Sequence, residues 1–128
     1  MKEPGDKTGI AVVIDQSKGE GRFTDVKLTT PLNPDLVKKG NAIYTLKCVA
    51  CHRLTDEKVV GPGWKGITET RKPEWIMNFI TNTDEMLDKD STAQTMLKIC
   101  VARMPNPKLT DEEARQVLEF MRSNDGQK

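Results

Sequence analysis

After Asn33, apolar residues recur every three or four positions through most of the chain, the period of helices with one buried face. Asn33 is a candidate N-cap and Pro34 suits the first helical position. Leu36, Val37, Gly40, Ile43 and Tyr44 then share one face, which predicts a helix reaching to about Lys47. Gly40 on that face lets another helix approach closely. Gly61-Pro62-Gly63 interrupts the pattern as a loop. Pro73 opens a second helix with Trp75, Ile76, Phe79 and Ile80 inward, and Thr83 or Asp84 starts a short turn containing Met86 and Leu87. Ser91 is a candidate cap for a further helix, with Ala93, Met96, Leu97, Cys100 and Val101 on one side. Met104-Pro105-Asn106-Pro107 reads as extended, because proline disfavours helix at the residue before it. The last helix has the clearest signal. Thr110 and Glu113 have capping-box spacing, and Ala114, Val117, Leu118 and Met121 repeat at helical intervals before Asn124-Asp125-Gly126.

Residues 1–33 follow a different pattern. Ile10-Ala11-Val12-Val13-Ile14 is β-prone, Ser17-Lys18-Gly19-Glu20-Gly21 reads as a turn, and Phe23, Val26 and Leu28 mark a second extended stretch. A loose hairpin and an irregular arm wrapped over the domain both fit. The expected organisation is an arm or small hairpin over 1–33, then an all-α domain of four to five helices over 34–128.

Composition adds one constraint. Only 36% of the 128 residues are apolar and 5% aromatic, so the core of this single domain is thin unless a large apolar cofactor completes it. Twenty basic and 19 acidic residues leave a net charge of +1, which argues against a nucleic-acid partner. No stretch approaches the roughly 20 apolar residues that span a bilayer.

The candidate chemistry lies at Cys48-Val49-Ala50-Cys51-His52, a C-x-x-C-H sequence of the kind that attaches haem. On a helical turn, residues three and four apart share a face. Cys48 and Cys51 can therefore form thioethers with the two vinyl groups of one porphyrin, while His52 offers its imidazole to the iron. His52 is the only histidine, so any second iron ligand is another residue type or the position is open. A thioredoxin-type redox pair is a competing reading of the two cysteines, but no βαβ pattern precedes them. A zinc site of Cys48, Cys51, His52 and Cys100 is another, though adjacent Cys51 and His52 make poor tetrahedral partners. Cys100 otherwise reads as a small buried hydrophobe.

Methionine is the favoured second ligand, since His/Met pairs occur in c-type cytochromes. Met77, Met96 and Met121 fall in predicted helices, where core packing is the simpler role. Met86 in its short turn remains a candidate. Met104 stands apart, in an extended segment where a side chain can be aimed independently of packing.

Four elements over about residues 36–122 together resemble the class I monohaem cytochrome c family. They are Gly40-x-x-Ile43-Tyr44-x-x-x-Cys48-x-x-Cys51-His52, the last helix with Val117-Leu118-Glu119-Phe120-Met121, the loop Gly61-Pro62-Gly63-Trp64-Lys65-Gly66, and Met104-Pro105. Arg71-Lys72-Pro73-Glu74-Trp75-Ile76-Met77-Asn78-Phe79-Ile80, followed by Asp84-Glu85-Met86, is similar to monohaem cytochromes of bacterial respiratory chains, including those of Bacteroidetes-type bacteria.

The resemblance implies a class I fold around one covalently attached haem c, with Cys48, Cys51, His52 and Met104 holding it and His52 and Met104 on the iron. It implies that the Pro62 carbonyl accepts a hydrogen bond from His52, and that Trp64, Arg71 or Trp75 reaches a propionate. It also implies a non-enzymatic, monomeric one-electron carrier between respiratory complexes and a terminal oxidase or nitrogen-oxide reductase. Redox partners would dock transiently, with Lys47 and Lys65 candidates for the haem edge. Thioether formation places such a protein in the periplasm, with its export signal or anchor outside this sequence. The competing functions are a haem enzyme or gas sensor with an open iron position, and the electron-entry domain of a larger redox enzyme.

Overall fold

The computed structural model describes residues 16–128. Among them are six helices and no strand: α1 (Pro34–Ile43), α2 (Ile67–Thr70), α3 (Pro73–Thr81), α4 (Thr83–Lys89), α5 (Ser91–Cys100) and α6 (Asp111–Asn124).

α1 starts where the sequence places it. Asn33 Oδ1 accepts the Asp35 N–H at 2.9 Å, and Pro34 takes the first helical position. Beyond Ile43 the helix does not continue as an α-helix to Lys47. Tyr44–Cys48 widens into a π turn, in which the Val49 N–H reaches back to Tyr44 O at 2.9 Å. Such widenings re-aim the side chains that follow them, and here those are Cys48 to His52.

α6 crosses α1 at Gly40. A Cβ on Gly40 would overlap the Gln116 carbonyl oxygen and lie 2.7 Å from Phe120 Cβ, so the two backbones touch directly. The capping box is complete: Glu113 N–H donates to Thr110 Oγ1 at 3.1 Å, and Thr110 N–H to Glu113 Oε1 at 2.9 Å. Ala114, Val117, Leu118 and Met121 are buried. Each large apolar side chain so placed contributes about 1.5–3 kcal/mol. Tyr44 packs on Phe120 with ring centroids 5.5 Å apart.

The four-residue helix α2 was not foreseen. Asp125 at the end of α6 holds it, accepting the Gly66 N–H at 2.6 Å and the Thr68 N–H at 3.0 Å. α5 also begins differently from the reading of Ser91 as its cap. Asp90 is the N-cap, and its side chain accepts the Ala93 N–H. Val101 is not inward. It ends α5 in the left-handed region at φ 63° and is 85% exposed.

The β-prone run Ile10–Ile14 lies outside the described residues. From residue 16 to 33 the described chain forms no strand and is laid over α3, α4 and α6. Side chains from the helices hold its backbone. Buried Asn78 accepts the Phe23 N–H at 3.0 Å and donates to Lys18 O at 2.8 Å, and Glu74 accepts the Val26 N–H at 2.8 Å. Arg115 and Arg122 donate to Lys27 O and Thr29 O, while both pair with Glu119, which is 1% exposed. Polar residues on the back of α3 and α6 thus have a purpose that the apolar period does not reveal.

Candidate haem site

The C-x-x-C-H residues form one closed turn directly after the π segment. Cys51 N–H and His52 N–H both donate to Cys48 O, at 3.1 and 3.0 Å. Tyr44 pins the turn from below, its hydroxyl donating to His52 O at 2.7 Å. The Gly61-Pro62-Gly63 loop folds back against it, with Gly61 N–H on Cys51 O at 2.8 Å and Trp64 N–H on Arg53 O at 2.8 Å.

This packing fixes the imidazole. His52 Nδ1 lies 2.8 Å from the Pro62 carbonyl oxygen, which can only accept, so Nδ1 carries the proton and Nε2 keeps its lone pair. Burial lowers the His52 pKa, and the Pro62 bond opposes this in part. The neutral, metal-binding form is therefore favoured. Trp64 packs on the ring with centroids 5.4 Å apart, and Tyr44 packs on Trp64 at 5.0 Å. A Cβ on Gly61 would stand 2.5 Å from His52 Cε1 and 2.9 Å from Nδ1. Gly61→Ala is accordingly expected to displace the imidazole and destabilise the haem-loaded protein by about 1–3 kcal/mol, the usual cost of overpacking. Guanidinium unfolding followed by the haem absorption would measure it, and an unchanged midpoint would contradict it.

Beside the turn lies a largely apolar cavity enclosing about 930 Å³, part of it open to solvent. Cys51 and His52 form part of its wall. Trp64 and Ile67 continue it, as do Trp75, Ile76, Phe79 and Ile80 of α3. α5 contributes Ala93, Met96, Leu97 and Cys100, and the segment after it contributes Met104.

The fold therefore brings Cys51, His52 and Met104 to one cavity. Cys48 is not on the wall; it sits in the hydrophobic core, 9% exposed. Burial pushes its thiol up to about 11, with Lys47 acting the other way. A C-x-x-C thiol used for redox exchange has its pKa lowered instead, which counts against the thioredoxin-type reading. Cys48, Cys51, His52 and Cys100 do not gather into a metal-ligand cluster among the described residues.

Met86 is placed away from the cavity. It is fully buried, and its sulfur accepts the Glu20 N–H of the arm at 3.0 Å. Met96, Met121 and Cys100, read as core residues, also face the cavity. Only Ala93 of α5 is buried; Met96, Leu97 and Cys100 of its apolar stripe line the cavity, and Leu97 also packs against the core. Periodicity alone does not separate those two destinations.

The predicted edge residues divide. Trp75 donates its indole N–H to buried Asp90 at 3.0 Å and has no proton left for a propionate. Arg71 stacks over the Trp75 ring, 5.4 Å from its centroid, and its Nε is buried with no acceptor in the protein. Lys47 donates to Pro107 O at 3.0 Å and so ties the C-x-x-C-H turn to the Met104 segment. Asp90 and Ser91 are adjacent residues that cap equally well, so the sequence alone does not separate them.

The residues present suit a haem. The cavity is apolar, and a neutral imidazole and a thioether share it. A helical fold in which Cys51 and His52 of a C-x-x-C-H turn line such a cavity defines a c-type haem protein.

The chain belongs to the cytochrome c family: the family model for cytochrome c matches residues 37–125. Cytochrome c from Rhodothermus marinus is similar at 30% identity and TM-score 0.78, covering 82% of this chain and 90% of that one. An engineered form of that cytochrome bound to a carbene intermediate is similar at 30% identity and TM-score 0.75, with the same coverage. The engineered form described without the carbene is 29% identical, with TM-score 0.76 and the same coverage. No curated protein gives a significant match. The fold is that of class I cytochromes c, and the cofactor is one covalently attached haem c. The family's activity is haem-based electron transfer. Among the described residues no helix is long and apolar enough to cross a membrane.

Proposed function

We propose that this cytochrome is a monomeric one-electron carrier in which Cys48 and Cys51 bond the porphyrin and His52 and Met104 ligate the iron. The observation that carries this reading is the His52–Pro62 bond together with the position of Met104. One aims a neutral imidazole, and the other supplies a second soft ligand to the same cavity. When bound, the haem supplies a ferric/ferrous couple that gains and loses one electron. The protein's part would be to hold the His52 and Met104 side chains fixed and to keep water out. The Pro62 carbonyl orients His52 and raises its basicity. Trp64 and Tyr44 prevent the ring from tilting. The apolar walls from α3 and α5 limit solvent access, and the buried Arg71 N–H suits a propionate.

Partners are read as transient redox proteins. Val60, Ala102, Arg103 and Pro105 line the cavity and are exposed, so they mark its open side. A small, partly electrostatic interface there fits rapid exchange. The proposed setting is the bacterial periplasm, between a donor complex and a terminal oxidase or nitrogen-oxide reductase, because thioether attachment takes place outside the cytoplasm.

The test is a mass measurement of natively matured protein with its optical spectrum. The expected mass is the polypeptide plus one haem, with colour retained through acid–acetone extraction. A bare polypeptide mass would remove the cysteine assignment, and rapid carbon monoxide binding at neutral pH would remove the ligand assignment.

A further inference from the structure

Asp90 lies between the arm, the cavity wall and the helix that leads to Met104, and it is only 7% exposed. Oδ2 accepts two hydrogen bonds, from Trp75 Nε1–H at 3.0 Å and from Ala93 N–H at 2.9 Å. Oδ1 accepts a longer one from the Ser17 hydroxyl at 3.4 Å. Its own N–H closes α4 on Met86 O at 2.8 Å, and its carbonyl receives the Gln94 N–H at 2.9 Å. One residue therefore ends α4, starts α5 and holds the indole that forms part of the cavity wall.

Besides this anchor, α5 is held by Leu97, which packs against the core, and by the exposed Gln94 side chain, which donates to Asp88 O at 2.7 Å. Ala93 is its one buried residue, and Met96, Leu97 and Cys100 face the cavity. At its far end the chain turns at Val101 and runs through Arg103 to Met104. Arg103 pairs with Asp84 and Asp88 of α4 at 3.3 and 3.2 Å, but all three groups are about half exposed or more. Exposed pairs of that kind hold weakly. The firm attachment of α5 is the buried one, at its N-terminus.

We propose that Asp90 is a positioning residue for the sixth iron ligand: by capping α5 and holding Trp75 it fixes where the segment after α5 presents the Met104 sulfur. This rests on the reading of Met104 as ligand. Asp90 does not line the cavity itself; it acts through α5 as a lever and through Trp75 as part of the cavity wall. Asparagine at 90 would keep the arrangement. Its carbonyl can take the place of Oδ2 before Trp75 and Ala93, and its amide can donate to Ser17 Oγ. Alanine would leave the indole N–H and the first turn of α5 without their acceptor.

The experiment uses the haem-loaded protein, with Met104→Ala as reference. It reads the ferric sulfur-to-iron band and the rate of carbon monoxide binding to the ferrous form. Asp90→Ala is expected to weaken the band and to raise the carbon monoxide rate by roughly five- to tenfold, the range that a lost cap and a lost buried hydrogen bond imply. Asp90→Asn should stay within about twofold of wild type, since its acceptor geometry is retained. A wild-type band and rate in Asp90→Ala overturns the proposal while leaving the Met104 assignment intact, and so does an Asp90→Asn variant as impaired as the alanine one. A wild-type protein with no band overturns both readings together. Should Asp90→Ala yield no folded haem protein, Asp90→Ser serves in its place. Serine still caps α5 but is too short to reach the indole, so a raised carbon monoxide rate supports the proposal and an unchanged one overturns it.

Discussion

Met104→Ala is expected to abolish the ferric sulfur-to-iron band at the red end of the visible spectrum. The ferrous protein should then bind carbon monoxide quickly at neutral pH. The reasoning is one of supply. His52 is the only imidazole in the chain, and Pro62 aims it from one side. Of the two methionines singled out from the sequence, only Met104 stands at the cavity; Met86 is sealed in the core with its sulfur bonded to the arm. The reduction potential should fall as well, because thioether ligation favours the ferrous state. Met86→Leu is the control. It should keep the band, and any loss should appear as stability, on the order of 1 kcal/mol for a near volume-conserving core change. If Met104→Ala keeps the band, the ligand lies elsewhere, with Met96 and Met121 the next cavity-facing thioethers.

A second large effect is expected at Gly40. Valine there cannot be accommodated by a rotamer change, because its Cβ meets the backbone oxygen of Gln116 and the first side-chain carbon of Phe120. Helices α1 and α6 would have to move apart. That separation would open the contact under Tyr44, and Tyr44 holds the C-x-x-C-H turn through the His52 carbonyl. Overpacking commonly costs 1–3 kcal/mol and more where backbone must shift; roughly 3–5 kcal/mol is expected here, a large share of the 5–15 kcal/mol typical of a domain. Thermal unfolding of the haem-loaded variant would show a drop of about 10 °C or more. A shift of only a few degrees would mean that the two helices slide past the obstruction.

The sequence was most legible where one physical signal had one outcome. Asn33-Pro34, Thr110 with Glu113, and Gly40 each prescribe a local geometry, and the structure contains all three. C-x-x-C-H and the lone histidine likewise limit the chemistry to very few readings. Signals that allow several outcomes were less informative. The stripe Met96, Leu97, Cys100 shows that α5 has an apolar side, but not that a cavity faces it. Trp75 and Arg71 looked alike as anion partners, yet Asp90 takes the indole proton and leaves only the Arg71 Nε unmatched. The arm escaped the pattern because its backbone bonds end on side chains of helices far along the chain, such as Asn78 and Arg122. No local period encodes such pairings.

The way the arm is fastened decides where variation can be tolerated. Asn78, Glu74, Arg115 and Arg122 grip peptide groups, which are the same whatever side chain the arm carries at Lys18, Val26, Lys27 or Thr29. Substitutions at exposed Lys27 and Thr29 should therefore be nearly silent, whereas Val26 also packs against the core and donates its N–H, so a polar residue or proline there should not be. The helix side has no such freedom. Exchange of Asn78 or Glu119 for an apolar residue would leave buried partners unmatched, and the loss would spread through α3 and α6 to the walls that enclose the cofactor.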